Sequence, residues 1–243
     1  MLSKNEVKYI QSLGHKKNRD ADNVFIAEGV KTVYELLNAD FNIKKIYALE
    51  DWIVINPTVK NVIEVNEDEL KKISNFETPN KVFALVEKRT PVREPDLKNK
   101  ISLVLDGIQD PGNMGTIIRT ADWFGIRQVI CSKDCADAFA PKVIQATMGS
   151  MVRVQLLYTD LLELVAGNPT LPLYAASLNG TAITAMPPVK EGAIVIGNES
   201  KGIHPALLER CQHHITIPRI GRAESLNAAV AAGIILSRLC MGD

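Results

Sequence analysis

Three short segments of this chain carry side chains that could do chemistry, and each follows a stretch that reads as a buried strand. The first is DGIQDPGNMGTIIRTADWFG (106–125), with Asn113, Gly115 and Arg119. Asp110-Pro111-Gly112 is a turn, Asn113 is a suitable cap for a helix beginning at Met114, and Arg119 lies about two turns down that helix. The second is IVIGNESKGI (194–203). Here Gly197 permits close backbone approach, Gly202 suits a turn, and Glu199 sets a carboxylate at the mouth of a strand, where it costs free energy unless paired. The third is IPRIGRAESLNAAVAAG (217–233). Ser225 is a good N-cap, and Asn227 falls at the positive helix end, where donors and backbone N–H groups converge on anions. Singly, these are a capped helix with a surface arginine, a strand-to-loop turn and a plain N-cap. Jointly, in order and in one domain, they are far more specific.

The elements that must position them alternate strand and helix. ISLVLDGI (101–108) is a continuous apolar run of the kind buried in a parallel sheet. The spacing then predicts a helix over 113–125, a strand over 127–132, a helix over 137–150 and a strand over 152–158. A helix follows over 160–167, with strands over 171–178, 193–199 and 213–219 and a short helix over 205–211. A closing helix rich in small residues runs over 225–240. This alternation implies a mostly parallel sheet with helices on both faces, whose ligands bind at the carboxyl ends of the strands. Neither G-x-G-x-x-G nor G-x-x-x-x-G-K-[ST] occurs, which disfavours a nicotinamide dehydrogenase or an NTPase.

Ahead of this lies a unit of about 85 residues. It has helical spacing over 29–39, β-like stretches over 43–49 and 61–65, a helix over 66–74 and a buried strand over 81–87, which suggests a small α/β sandwich. KRTPVREPDLKNK (88–100), with two prolines and five Lys/Arg, reads as the join. The expected division is 1–88, a linker over 89–100, and 101–243. With 28 Lys+Arg against 28 Asp+Glu the net charge is zero, yet residues 8–19 carry Lys8, Lys16, Lys17 and Arg19 and no acid. That segment is a candidate phosphate-facing surface, or a solvated helix end. The composition excludes a disordered chain, a collagen-like fibre and a coiled coil. A polar start, no apolar run long enough for a bilayer and four scattered cysteines make a reducing, cytoplasmic setting the expectation.

The combination Asn113-x-Gly115-x-x-x-Arg119, then Gly197-x-Glu199-x-x-Gly202, then Ile217-Pro218…Ser225-Leu226-Asn227 resembles the SpoU (TrmH-like) family of SAM-dependent RNA ribose 2′-O-methyltransferases, within the SPOUT superfamily. The resemblance covers 101–240 without a motif departure. It implies a SPOUT-type parallel sheet with a C-terminal trefoil knot and a homodimer whose active site is built across the subunit interface. The N-terminal part is similar to the family's L30e-like RNA-binding extension, on Lys17, Arg19, Phe25, Glu28 and Gly29 of KKNRDADNVFIAEG.

By resemblance the catalytic set is Asn113, Arg119, Glu199, Ser225 and Asn227. S-adenosylmethionine lies against Ser177, Leu178, Gly197, Asn198, Ile217 and Leu226, and Lys16, Lys17 and Arg19 face RNA. The family's usual base is the helix arginine, which conflicts with the tendency of guanidinium to stay protonated. Either the site perturbs Arg119 strongly, or Arg119 binds phosphate and lowers the hydroxyl pKa while another group takes the proton. Glu199 is that other group, unless pairing with Arg119 is its role. The substrate expected is structured RNA, with rRNA ahead of tRNA, and a tRNA 2′-O-methyltransferase is the alternative. A non-catalytic RNA-binding protein and a small-molecule enzyme are the rivals. No metal and no membrane partner are expected; the Cys131/Cys135 and Cys211/His213/His214 spacings do not match zinc modules.

Overall fold

The computed structural model describes residues 2–90 and 94–241, so positions 91–93 of the expected linker lie outside the described residues. The chain divides into two compact units: 1–90 together with 137–152, and 91–136 together with 153–243. Residues 137–152 therefore belong with the N-terminal unit, a placement that chain order alone does not reveal. The reason is packing: Phe139, Ile144, Met151 and Val152 contribute to the same apolar cluster as Phe25, Val33, Leu36 and Trp52.

In the N-terminal unit, helices α1 (Lys4–Ser12) and α2 (Lys16–Ala21) lead into β1 (Val24–Glu28), followed by α3 (Val30–Asn38), β2 (Ile43–Ala48), α4 (Glu50–Ile55), β3 (Val62–Glu64), α5 (Glu67–Ile73) and β4 (Val82–Glu87). The sheet order is β1-β4-β2-β3; β4 runs antiparallel to β1 and β2, and β2 and β3 are parallel. Every residue of β1 is buried, which fits the run VFIAE covered on both faces. The helix expected over 66–74 runs over 67–73 and starts at Asn66, which forms a capping box with Glu69. Four elements went unread in the sequence: α1, taken only as a possible basic helix end; β1, because five residues between polar flanks give too short a signal; α4, whose EDWIVI run has no clean period; and α2, only six residues long.

The second unit holds β5 (Ile101–Asp106), α6 (Pro111–Trp123), β6 (Gln128–Ser132), β7 (Gln155–Thr159), α8 (Leu161–Gly167), β8 (Leu173–Ala182), β9 (Gly192–Gly197), α9 (Pro205–Leu208), β10 (His213–Thr216) and α10 (Ala228–Cys240). Helix α7 (Pro141–Thr147), between β6 and β7 in the chain, belongs to the N-terminal unit and is half the length read from 137–150. Pro141 at its first position and Met148 in the left-handed conformation after its end fix those limits. The six-stranded sheet has the order β10-β8-β9-β5-β6-β7, and every neighbouring pair is parallel. Strand order reverses at β5, which lies between β9 and β6. The parallel register pairs Asp106 with Gly197, so the loops that leave β5 and β9 emerge side by side. That is the switch-point crevice where open α/β sheets bind ligands. Helices α6 and α10 pack together.

Candidate active site

Three loops meet at this edge of the second unit, and side chains tie them. Asn113 Nδ2 donates to Glu199 Oε1 at 2.6 Å. Asn227 Nδ2 donates to Asn113 Oδ1 at 2.8 Å. One amide thus joins the segment after β5, the segment after β9 and the start of α10, which are separated by 86 and 114 residues in sequence. The two contacts fix which end of the Asn113 amide faces which neighbour. Glu199 pairs with Asn113 rather than with Arg119, and its Oε2 has no partner among the described residues.

Local sequence sets these positions. Helix α6 starts three residues earlier than a cap at Asn113 suggests: Asp110 is the N-cap, its carboxylate accepting from Asn113 N at 2.7 Å, and Pro111 occupies the first turn. Proline's fixed φ and missing N–H suit that place, and aspartate is a strong cap. Asn113 is therefore inside the first turn, with its side chain free to reach Glu199 and Asn227. Likewise Ser225 is not a cap. Asn227 caps α10, its Oδ1 accepting from Ala229 N at 2.9 Å and Val230 N at 3.3 Å, while Ser225 lies exposed in the preceding loop. Arg119 is exposed, six residues beyond Asn113 on the face shared with Thr116 and Trp123, and has no hydrogen-bond or ion-pair partner among the described residues. At 1.5 Å and 100° per residue it stands about 9 Å along the axis and about a third of a turn round from Asn113.

Asn198 works as a latch. Its Nδ2 donates to Gly107 O at 2.7 Å, and its Oδ1 accepts from Ser200 N and Lys201 N at 2.9 and 3.0 Å, so its side chain closes the 198–202 turn and holds it to the loop after β5. The close approach that requires glycine at 197 is by the chain itself: a Cβ there would stand 2.3 Å from the Gly202 carbonyl carbon and from Ile203 N. Asp106 was not read in the sequence as part of the site. Its carboxylate accepts from His204 N at 2.6 Å and secures the far end of the same turn; an acid as the last residue of a buried strand was the available signal.

Apolar surface adjoins the network. Leu178 is 73% and Leu226 45% exposed, large values for leucine, and Ile217 is half-buried. Thr216 Oγ1 donates to Leu178 O at 3.2 Å, tying the end of β10 to β8. Ser177 donates to Asn179 O within the same strand. This arrangement offers an apolar surface for a flat heterocycle, backbone polar groups beside it, a fixed amide–carboxylate pair and an exposed cation.

In the N-terminal unit, Lys16 and Lys17 are exposed on α2. Arg19 departs from expectation: only 2% exposed, it donates through Nη1 to Leu13 O and Gly14 O at 2.7 and 2.8 Å and pairs through Nη2 with Asp137 at 2.5 Å. A guanidinium so occupied fastens α2 to residues 137–152 and is closed to a phosphate. Phe25 is core, edge-on to Phe41 and tilted against Phe139, and the buried Glu28 carboxylate holds Ser74 and Asn75. No group of three or more His, Cys, Asp or Glu among the described residues could hold a metal. No helix among them is long and apolar enough to cross a membrane.

Comparison with known proteins gives matches to both units. The model of the SpoU rRNA Methylase family matches residues 100–237, and that of the MRM3-like substrate binding domain matches residues 4–84. The chain is 33% identical over 244 residues to the 23S rRNA (guanosine(2553)-2′-O)-methyltransferase RlmP of Bacillus subtilis, covering 96% of this chain and 95% of that protein. It superposes on a TrmH-family protein from Porphyromonas gingivalis with a TM-score of 0.87 and 35% identity, over 98% of each chain. An AdoMet-bound rRNA methyltransferase from Sinorhizobium meliloti gives a TM-score of 0.86 at 32% identity, over 98% of this chain and 95% of that one.

Proposed function

Because the chain belongs to the SpoU rRNA methylase family, we propose that it uses S-adenosylmethionine to methylate a ribose 2′-hydroxyl in structured ribosomal RNA. The observation that carries this reading is the Glu199–Asn113–Asn227 chain of hydrogen bonds, which joins the three motif loops at one sheet edge. Bound S-adenosylmethionine supplies an electrophilic methyl group on a sulfonium. The residues present fit it: Leu178, Leu226 and Ile217 offer apolar contact to its adenine, beside the turn of Gly197.

The chain's own work is to orient and to take a proton. Arg119, exposed and unpaired among the described residues, binds the phosphate next to the target ribose and turns the 2′-hydroxyl toward the methyl group. Asn113 holds the Glu199 carboxylate in place through Oε1, which leaves Oε2 as acceptor for the hydroxyl proton. Ser225, exposed one turn ahead of α10, offers a further hydroxyl to the ribose. Holding oxygen, methyl carbon and sulfur in line contributes several kcal/mol of barrier lowering. Lys16 and Lys17 supply sequence-independent attraction to the RNA backbone.

A homodimer is part of this proposal. Val230, Ile234 and Met241 form an exposed apolar stripe on α10 and the residue after it, at 51%, 38% and 58%, and Trp123 at the end of α6 is 84% exposed. Such a stripe suits a second copy of the chain. The trefoil knot expected from the family belongs with this reading, as does a cytoplasmic location. Two measurements test it together: calorimetric titration with S-adenosylmethionine, and transfer of its labelled methyl group to total RNA against a metabolite extract. Binding with RNA-specific transfer is expected. Binding without transfer to any RNA would refute it.

A further inference from the structure

The loop from β10 to α10 carries an exposed apolar side chain that is not among the residues assigned above to the cofactor or to the subunit contact. Residues 218–227 are all exposed, and at their middle Ile220 is 101% exposed. Arg219 and Arg222 flank it. Arg219 Nη1 donates to Ala223 O at 3.3 Å, within the loop, and neither guanidinium is in an ion pair among the described residues. Glu224 on the same loop leaves it with a net positive charge. The loop ends on Asn227, which is bonded to Asn113, so it leads directly into the methyl-transfer network. In the reading above, the adenosyl group covers Leu178 and Leu226, and the subunit contact covers the α10 stripe. Ile220 belongs to neither set of residues.

A fully exposed isoleucine between two unpaired arginines is poorly suited to water and well suited to a polyanion whose interior is apolar, that is, a strand of stacked bases. The reaction itself makes such a group useful. In regular A-form RNA the base is stacked and the ribose is fixed in the backbone, so bringing its oxygen in line with a methyl group held in a crevice requires the target nucleotide to leave the stack. Apolar side chains inserted at a base step achieve this in other nucleic-acid complexes.

We propose that Ile220 is a wedge that enters the base stack beside the target nucleotide while Arg219 and Arg222 hold the flanking phosphates. This is a positioning role, and it rests on the RNA methyl-transfer reading. The test uses the full-length protein and a hairpin containing the nucleotide that the wild-type protein methylates, with 2-aminopurine on its 3′ side. A second hairpin has an abasic site there, so the stack is already broken. Ile220→Ala is expected to lose about tenfold or more in kcat/KM on the stacked hairpin, with a smaller 2-aminopurine fluorescence rise, and to lose little on the abasic one. Ile220→Met should recover most of the activity. S-adenosylmethionine affinity and molar mass by light scattering should not change. Equal losses on both hairpins, or no loss on the stacked one, overturn the proposal. Altered cofactor affinity or subunit number also overturns it, by assigning Ile220 to those contacts. A wild-type protein that methylates no RNA overturns the underlying reading, and is recognised before any variant is compared.

Discussion

Replacing Asn113 by alanine removes two hydrogen bonds and leaves the helix start intact, because Asp110 caps α6 through the Asn113 backbone N–H rather than its side chain. The bond to Glu199 at 2.6 Å is charge-assisted and the bond from Asn227 at 2.8 Å is neutral. Such bonds contribute about 1.5–3 and about 0.5–1.5 kcal/mol. Glu199 and Asn227 are exposed, so the low ends apply, about 2 kcal/mol together. Lost from the transition state, that is about a 30-fold fall in kcat/KM. Single-turnover methyl transfer with the wild type, Asn113→Ala, Glu199→Ala and the double variant separates the roles. If Asn113 acts by holding Glu199, the second substitution costs the Glu199→Ala protein only about twofold, the share left to Asn227. A full 30-fold loss in that background would refute the reasoning, since the two residues would then act independently.

Arg119→Ala should abolish turnover, while Arg119→Lys keeps a measurable fraction if the residue serves as a cation for phosphate; a Lys variant as dead as the Ala variant would point to the proton-accepting role instead. Asn227→Ser keeps an N-cap for α10 but loses the donor to Asn113, whereas Asn227→Ala loses both; thermal melts should separate the two variants by about 1 kcal/mol, with activity reduced in each. Arg19→Ala leaves Asp137 unpaired beside two bared carbonyls and should destabilise the N-terminal unit by about 3–5 kcal/mol in denaturant unfolding. Lys16→Ala with Lys17→Ala should instead leave the melt unchanged and lower the salt dependence of RNA binding by nearly two in slope. The Tyr47 hydroxyl and the Lys45 ammonium hold the Glu6 carboxyl below its usual value of 4.5. Its contribution is thus present above pH 4.5 and lost as pH falls through its lower folded-state value. Glu6→Gln should flatten the decline of stability in that acid window, measured by urea midpoints; an unchanged profile would contradict the pairing.

Much of the catalytic unit was legible because its signals are local and long. Continuous apolar runs such as ISLVLD mark buried parallel strands, and Asn113, Glu199 and Asn227 each follow a strand end. The convergence was inferable from the parallel topology, since loops leaving one edge must neighbour one another, but not the partner of each side chain. That Glu199 bonds Asn113 rather than Arg119 depends on helix phase: moving the start of α6 from Met114 to Pro111 changes which residues face the crevice. The Asp110-Pro111 pair carried that information and was read only as a turn. The two caps were misplaced for one reason. Asn and Ser both have capping chemistry, and the choice among nearby candidates is made by tertiary contacts. Arg19 shows the limit of charge counting, for its partner Asp137 lies 118 residues away in sequence. The return of residues 137–152 to the first unit was equally invisible, because Phe139 and Met151 carry no mark of which core they join.

The central claim is that this chain places a methyl group on the 2′-oxygen of a ribosomal nucleotide, through residues gathered at the β5–β9 edge. Ribose-methylation mapping of 23S rRNA from cells with the protein, without it, and with the Arg119→Ala variant tests that claim most directly. One 2′-O-methyl mark present only with the wild-type protein is the predicted result. An identical set of marks in all three would contradict the account.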